Sequence, residues 1–449
     1  MTTTHQLRRH AREIFTSALE AVDPAKALRR AVHLDEHLLT ILGEDFDLRQ
    51  YKAIYSIALG KASGAMAAAL DRLLDTKLAG GIISSSVDVS LPARWRRFAG
   101  GHPVPNEESF AAAQACFDLL NQIEQDASLI IFLISGGGSA MMEIPRDEFV
   151  TLADVQEANR LLVNCGASIG EINAVRQAFS KVKAGGLSHA AWRAAQVTLI
   201  VSDTNAGEES NAASGPTFDQ HSDAKAALAV IAKYNLERRL PQSITETIKR
   251  FAPLPPIATS PIRRHYVLLD NRDAIDAAAQ AARERGFRIA LAEEIVEQPI
   301  EEGCAQLVSR LIELRQQIKP GETVCLISGG EFACPVRGNG IGGRNCETAL
   351  RCATEIGKAL AGETHPTDSS IVALSAGTDG IDGNSPAAGA IADETTLKRA
   401  LKLNLDPETF LYNSDAYNFF RLLNSEILTG ATGTNVRDLR IMLATQNRI

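Results

Sequence analysis

Five short segments rich in glycine, serine and acidic residues follow apolar runs, and they hold most of the side chains able to do chemistry. Ser135-Gly136-Gly137-Gly138-Ser139 comes directly after Leu129–Ile134. Its three glycines permit positive φ and close approach of backbone N–H groups, and the two serines add hydroxyl donors, as a cradle for an anion requires. A plain strand-to-helix turn would need only one or two glycines. Gly60-Lys61 follows Ala53–Leu59. It lacks the earlier glycine of Gly-x-x-x-x-Gly-Lys and is no P-loop. A lysine just beyond a buried strand can meet a phosphoryl group or a carboxylate, and can equally be solvated.

Gly338, Gly340 and Gly343 match Gly-x-Gly-x-x-Gly literally, between a strand-like run and a helix. That spacing suits a dinucleotide, but no acidic residue ends the next strand at the usual distance. The alternative is a glycine loop that delivers Arg344, whose rigid fork of donors fits carboxylate or phosphate. Asp203, Asp379 and Asp382 lie at two strand ends and Glu331 at a third. Magnesium in phosphoryl transfer is held by one or two carboxylates plus nucleotide oxygens, so these acids are candidate ligands; ordinary Asp-Gly turns look the same. A serine hydrolase would want Gly-x-Ser-x-Gly, and Gly137-Gly138-Ser139-Ala140-Met141 breaks that pattern at its last position. His102 lies in the Gly/Pro loop Gly100–Pro105, where shaping the loop is its simpler role.

Positioning such loops takes buried strands alternating with amphipathic helices. The pattern predicts helices at His5–Ala21 and Pro24–Val32, then strands at Ala53–Leu59, Gly80–Ser84, Leu129–Ile134 and Val197–Val201. After the proline-dense stretch Phe251–Pro261 it restarts, with strands at His265–Leu269, Phe287–Ala292, Thr323–Ile327 and Ser370–Leu374. Such alternation implies an α/β fold with parallel pairing. The expectation is two Rossmann-like, three-layer domains with mostly parallel sheets, at 1–240 and 241–449. Asn413–Asn435 is open to crossing back onto the first domain. The echo between Leu133-Ile-Ser-Gly-Gly-Gly and Leu326-Ile-Ser-Gly-Gly-Glu is reuse of one loop type.

A length of 449 residues, 45% of them hydrophobic and 22% charged, fits two globular cores and excludes extensive disorder. A formal charge of −8 with no basic stripe makes nucleic acid or an anionic membrane a poor partner. The seven cysteines are odd in number and form no Cys-x-x-Cys, which points to free core thiols and a cytoplasmic setting. No His-x-x-x-His or His-x-His pair suggests zinc. The apolar run Leu129–Ile134 is too short to span a bilayer, and the N-terminus lacks the apolar core of a signal peptide.

Taken together, these segments resemble the type-2 glycerate kinase family, whose C-terminal half is called MOFRL. The matching residues are Gly60–Ser63, Gly100–Pro105, Ser135–Ser139, Ile172–Arg176, Ser180–Lys183, Ala213–Thr217, Ser328–Glu331, Gly342–Asn345, Gly377–Gly383 and Thr432–Val436, in order over nearly the whole chain. The resemblance implies ATP- and Mg²⁺-dependent phosphorylation of D-glycerate at its 2-hydroxyl in a cleft between the domains. It implies Lys61 and Arg344 as the cations at the reaction centre. It also implies substrate and nucleotide contacts at Ser135, Gly136, Gly137, Gly138, Ser139, Asn173, Arg176, Ser328, Gly329, Gly330, Glu331, Asn345 and Asn435, with Asp203, Asp379 and Asp382 at the metal.

The sequence departs from the family pattern at Ser202-Asp203-Thr204-Asn205-Ala206-Gly207-Glu208, where a second acidic position is Gly207. Glu208 can substitute, or the acceptor differs. Asn211-Ala212 replaces an apolar pair, and Lys183-Ala184-Gly185-Gly186 lacks a polar residue after its glycines. Two other readings remain: a hydroxypyruvate reductase using NAD(P)H, and a non-catalytic sensor on the kinase fold. A homo-oligomer is equally open.

Overall fold

The computed structural model describes residues 3–87, 89–219, 223–252, 262–361 and 369–446. The chain forms two compact units, Pro24–Leu268 and Met1–Asp23 with Leu269–Ile449. The division therefore differs at both ends from one at 240/241. The helix Thr4–Ala21, capped by Thr3 and Gln6, buries Leu7, Ala11, Ile14, Phe15 and Ala18. That stripe packs on helix Asn271–Glu284 and on the sheet of the C-terminal part of the chain. A helical apolar stripe records that a face is covered, not which sheet covers it. Residues 253–261 of the proline-dense stretch lie outside the described residues.

In the unit Pro24–Leu268, β1 (Val32–Asp35), β2 (Leu38–Ile41) and β3 (Glu44–Asp47) form an antiparallel meander. The main sheet comprises β4 (Ala53–Leu59), β5 (Leu78–Ser84), β6 (Trp95–Phe98), β7 (Ser128–Ser135), β8 (Ala195–Val201) and β9 (Arg263–Leu269). Its order is β6-β5-β4-β7-β8-β9, and the pairings from β6 through β8 are parallel. The strand expected to open the second domain, β9, is thus an edge of the first sheet. β7 and β8 are buried along their whole length, as a strand covered on both faces must be. One face packs on helix Glu107–Gln122 through Ile57, Ile130, Phe132 and Cys116. From β4 the chain moves outward through β5 and β6, then returns to add β7 and β8 on the other side. The reversal point lies between β4 and β7, where open parallel sheets bind ligands beyond their carboxyl ends.

The other unit contains β10 (Arg288–Leu291), β11 (Thr323–Gly330), β12 (Ser369–Gly377), β13 (Gly389–Asp393), β14 (Glu426–Ile427) and β15 (Asp438–Gln446), in the order β10-β11-β15-β12-β13-β14. Here the expectation of a mostly parallel sheet fails. β10/β11 is parallel, and the other four pairings are antiparallel. The cause is β15, which enters between β11 and β12 and runs against both. Residues 413–435 belong to this unit as well, with β14 on the edge of its sheet. Helices cover both faces, Thr4–Ala21 and Asn271–Glu284 on one, Ile300–Gln316 and Arg344–Leu360 on the other, so the three layers are present. No helix among the described residues is long and apolar enough to cross a membrane. All seven cysteines are free.

Candidate active site

At the reversal point of the first sheet the register pairs Leu59 with Ile134, so the loops after β4 and β7 emerge side by side. Gly60 has φ +111°, and a Cβ there would run into the carbonyl of Ser135. Lys61 N donates to Gly136 O at 2.9 Å, and Ala62 N donates to Ser135 Oγ at 3.0 Å. These bonds lock the half-buried Lys61 beside the glycine cradle. Gly137 takes φ +82° and opens the short helical turn Gly138–Met141. His102 lies against Gly137, where an added Cβ would meet its ring at 2.9 Å, in keeping with a loop-shaping role.

Side chains under the cradle fix its far end. Ser139 Oγ bonds Ser214 Oγ at 2.9 Å, and Ser214 Oγ donates to Asn173 Oδ1 at 2.9 Å. Lys183 Nζ donates to Ser139 O at 2.8 Å and is paired with Glu143, which also accepts from Ser180 Oγ at 2.5 Å. Both ends of that ion pair are 1% exposed. Burial holds the Lys183 ammonium below the ordinary lysine range, with Glu143 pulling it back up. Arg176, one turn beyond Asn173, is lowered in the same way, and its buried Nε has no hydrogen-bond partner among the described residues.

β8 pairs Val201 with Ser135, which brings Asp203 next to the cradle in register. In the loop that follows, Gly207 has φ +84° and its N–H bonds Glu209 Oε1 at 2.7 Å. The exposed Glu208 accepts from Asn205 Nδ2 at 3.2 Å. The glycine at 207 therefore suits a left-handed turn, and Glu208 folds back on its own loop.

The second cluster forms where β11, β12 and β15 meet helix Arg344–Leu360. Arg344 stands at the first helical position. Its Nε bonds Asp438 Oδ2 at 2.5 Å and its terminal nitrogen bonds Glu331 Oε1 at 2.6 Å. Asp438 is nearly inaccessible, while Arg344 and Glu331 are about one-third exposed. Burial works against the guanidinium's charge, but Asp438 and Glu331 outweigh it and keep Arg344 firmly protonated. Asn345 Nδ2 donates to Asp438 Oδ1 at 2.8 Å, and Asn345 Oδ1 accepts from Ser375 Oγ at 2.7 Å.

Gly330 N bonds Asn271 Oδ1 at 3.0 Å, and Asn271 Nδ2 reaches Val436 O at 2.7 Å. Asn435 Oδ1 accepts from Arg437 N at 3.3 Å in the same loop. Ser328 and Gly329 are buried, as Ser135 and Gly136 are, and both are engaged in packing. Ser328 Oγ accepts from the fully buried Arg440 Nε at 2.8 Å, and a Cβ on Gly329 would strike Asn271. The buried Arg440 guanidinium, 3.8 Å from the Phe332 ring centroid, is pushed down to about 10 by desolvation.

Asp382 does not stand free to take a metal. Its two oxygens accept from the backbone N–H groups of Asn345 and Cys346 at 2.9 and 2.8 Å, so it anchors the start of the helix that carries Arg344. Burial raises its carboxyl to about 6. Asp379 closes its own turn, accepting from Ile381 N at 3.1 Å. No group of three or more His, Cys, Asp or Glu among the described residues is arranged to hold a metal ion. A Mg²⁺ carried largely by nucleotide oxygens needs only one or two protein carboxylates, and Asp382, bonded to two backbone N–H groups, is not available as one.

The glycines at 338–343 are used for packing. Cβ atoms on Gly338 and Gly340 would collide with Asn413 and Asp415. The N–H groups of Gly340, Ile341 and Gly342 bond Asn413 O, Asp415 Oδ1 and Asn384 Oδ1. A dinucleotide fingerprint needs a tight turn straight from strand to helix with free N–H groups. Here β11 ends at Gly330 and the helix begins only at Arg344.

Lys183, Glu143, Ser214, Asn271 and Asp438 escaped assignment from the sequence. Lys183 and Ser214 stood inside recognised segments, so their signal was present. Glu143 and Asp438 have none, because each acts through a residue distant in the chain.

Residues 10–249 match a domain of unknown function, DUF4147, and residues 324–438 match the MOFRL family. The chain belongs to the glycerate 2-kinase (MOFRL) family. It is 33% identical to a protein named D-glycerate 2-kinase from Thermotoga maritima, over 97% of this chain and 98% of that one. A crystal structure of glycerate kinase from Thermotoga maritima superimposes with a TM-score of 0.78 at 31% identity, covering 98% and 99% of the two chains. A relative from Agrobacterium vitis, 34% identical over 86% of each chain, carries a provisional hydroxypyruvate reductase name.

Proposed function

We propose that this protein is a glycerate 2-kinase, transferring the γ-phosphoryl group of ATP to the 2-hydroxyl of D-glycerate. The observation that carries this reading is the pairing of Lys61 with the Ser135–Ser139 cradle at the reversal point of a parallel sheet. Glycine backbone and hydroxyls suit phosphate oxygens, and the lysine adds a point charge where the transferring group develops its own. Membership of the family supplies the acceptor.

In the reaction the hydroxyl oxygen forms a bond to the γ-phosphorus and gives up its proton to solvent, the bridge to the β-phosphate breaks, and ADP departs. The charge-spread transition state asks for positioning and cations more than covalent help. Lys61 beside the cradle is one such cation, and Arg344, oriented by Asp438, is another. A bound Mg²⁺ would neutralise phosphate charge, with Asp203 or Asp379 as its protein ligand. Seven unbridged thiols suit a cytoplasmic setting.

The test combines purified protein with ATP, Mg²⁺ and D-glycerate, follows ADP release and identifies the product by NMR. Formation of 2-phosphoglycerate is expected. ADP release only with another hydroxy acid would move the acceptor and implicate the altered loop at 203–212. NADH consumption with hydroxypyruvate and no ATP-dependent product would replace the kinase by the reductase, against which the packed glycine loop at 338–343 already argues.

A further inference from the structure

We propose that the groove between the Pro103–Val104 loop and helix Leu152–Asn164 is the nucleoside subsite of the enzyme. The groove has a volume of about 570 Å³, within the roughly 300–1,000 Å³ of small-molecule sites. Val104 and Val163 line it and are 39% and 60% exposed, a pair of apolar side chains left uncovered on one unit. With Pro103 and Ala153 they form walls suited to the flat face of a base.

The polar groups are few and differ in kind. Asn159 uses its Nδ2 on Val155 O at 2.8 Å, leaving its carbonyl oxygen without a partner among the described residues, and the exposed Asn164 makes no side-chain hydrogen bond among them. An amide presents a donor and an acceptor together, the pattern that matches the amino group and ring nitrogen of adenine. Glu157 stands at the rim, paired with Arg160 at 2.6 Å, as an acceptor for ribose hydroxyls. Gln156 ties the two walls by donating to Pro105 O at 2.8 Å.

Continuity with the anion cradle singles out a nucleotide. Pro103 follows His102, whose ring lies against Gly137, so a single residue bridges the groove wall and the cradle. A ligand with its base in the groove would lead its phosphates toward Ser135–Ser139. The inference rests on the kinase reading for the identity of the phosphate donor.

The experiment compares wild type, Ala153→Trp and Asn164→Ala. Both positions are exposed, and matching melting temperatures check that the folds agree. Calorimetry measures binding of ADP and of adenosine, and steady-state assays measure KM for ATP and for D-glycerate. Filling the groove with Ala153→Trp is expected to weaken ADP and adenosine at least about tenfold and to raise KM for ATP equally. KM for D-glycerate should stay unchanged. Asn164→Ala should weaken adenosine severalfold, without a change in binding of inorganic pyrophosphate. ADP binding and turnover unaffected by Ala153→Trp would overturn the groove assignment and leave the kinase standing. A rise in KM for D-glycerate alone would give the groove to the acceptor and equally overturn it. A wild type that neither binds ADP nor releases it would defeat the kinase reading itself, and the subsite with it.

Discussion

The tetrapeptide Ile-Ser-Gly-Gly ends a buried strand in each unit, at 134–137 and at 327–330, and its last glycine has nearly the same φ in both, +82° and +84°. The two turns are nevertheless put to different use. In the first, the neighbouring strands run parallel and the next loop lies alongside, so Ser135 Oγ supports Ala62 and a helical turn starts at once. In the second, the antiparallel β15 runs past, so Ser328 Oγ is taken by Arg440, and the chain goes on through Glu331 to a helix that begins only at Arg344. The first turn offers backbone and hydroxyls with its ion pair buried beneath. The second offers a guanidinium flanked by carboxylates. A local sequence fixes a turn's shape, and the neighbouring strands decide what it presents.

If the first cradle depends on charge hidden under it, Lys183→Met should be the most damaging change. It leaves Glu143 buried without its cation, and a loss of about 3–5 kcal/mol in unfolding free energy is expected by chemical denaturation. Lys183→Met with Glu143→Leu should regain most of that loss. A double variant as unstable as the single one would show that the pair does not hold the cradle.

The second cluster should fail in turnover before it fails in folding. Arg344→Ala is expected to lower kcat by about 10²–10³, with a similar fall in kcat/KM, as when a contact specific to the transition state is lost. Arg344→Lys should recover only part, because a point charge cannot keep the fork to Asp438 and Glu331. A raised KM with kcat intact would reduce Arg344 to a binding residue.

Asp382 gives the comparison a pH signature. Its carboxyl sits at about 6 in the folded chain, raised by burial, against roughly 4 when unfolded. The folded state therefore holds the proton more tightly, and Asp382's contribution to stability is complete below about pH 4. It is lost as pH rises to about 6 and stays flat above. Relative to Asp382→Asn, which does not titrate, wild type should lose about 2–3 kcal/mol between pH 4 and 6.5 in denaturation curves. A difference independent of pH would mean that the N–H bonds from Asn345 and Cys346 fully offset the burial of that carboxylate.

Much of this was legible in the sequence because buried parallel strands write themselves as unbroken apolar runs. The apolar run Ala53–Leu59 coincides with β4 residue for residue, and Leu129–Ile134 lies one residue inside β7 at each end. β15 was not legible. Asp438-Leu-Arg440-Ile alternates charge with apolar residues, as an exposed edge would, yet it is the centre of its sheet. The charges are buried because Arg344, Asn345 and Ser328 pair with them, and those partners lie some 90 to 110 positions earlier in the chain. For the same reason the cradle glycines stood out by type, whereas Glu143 and Asp438, which hold the lysine and arginine in place, did not.

The finest distinction concerns Glu331. Asp438 is buried and shared with Asn345, so it is Arg344's permanent tether, while Glu331 is partly exposed and grips the other side of the same guanidinium. An incoming phosphate or carboxylate must share that side with Glu331 or displace it. A partly exposed ion pair is worth roughly 0–1 kcal/mol, so removing the competitor should help by no more than that. Glu331→Gln is therefore expected to lower KM for the anionic ligand about two- to fivefold at unchanged kcat. The sequence gives the opposite expectation, that Glu331 itself contacts substrate, nucleotide or metal. In that case KM would rise, and excess Mg²⁺ would restore part of the loss if a metal is involved. The direction of one Michaelis constant thus decides whether the second Ile-Ser-Gly-Gly turn ends in a ligand contact or in a carboxylate that keeps Arg344's place.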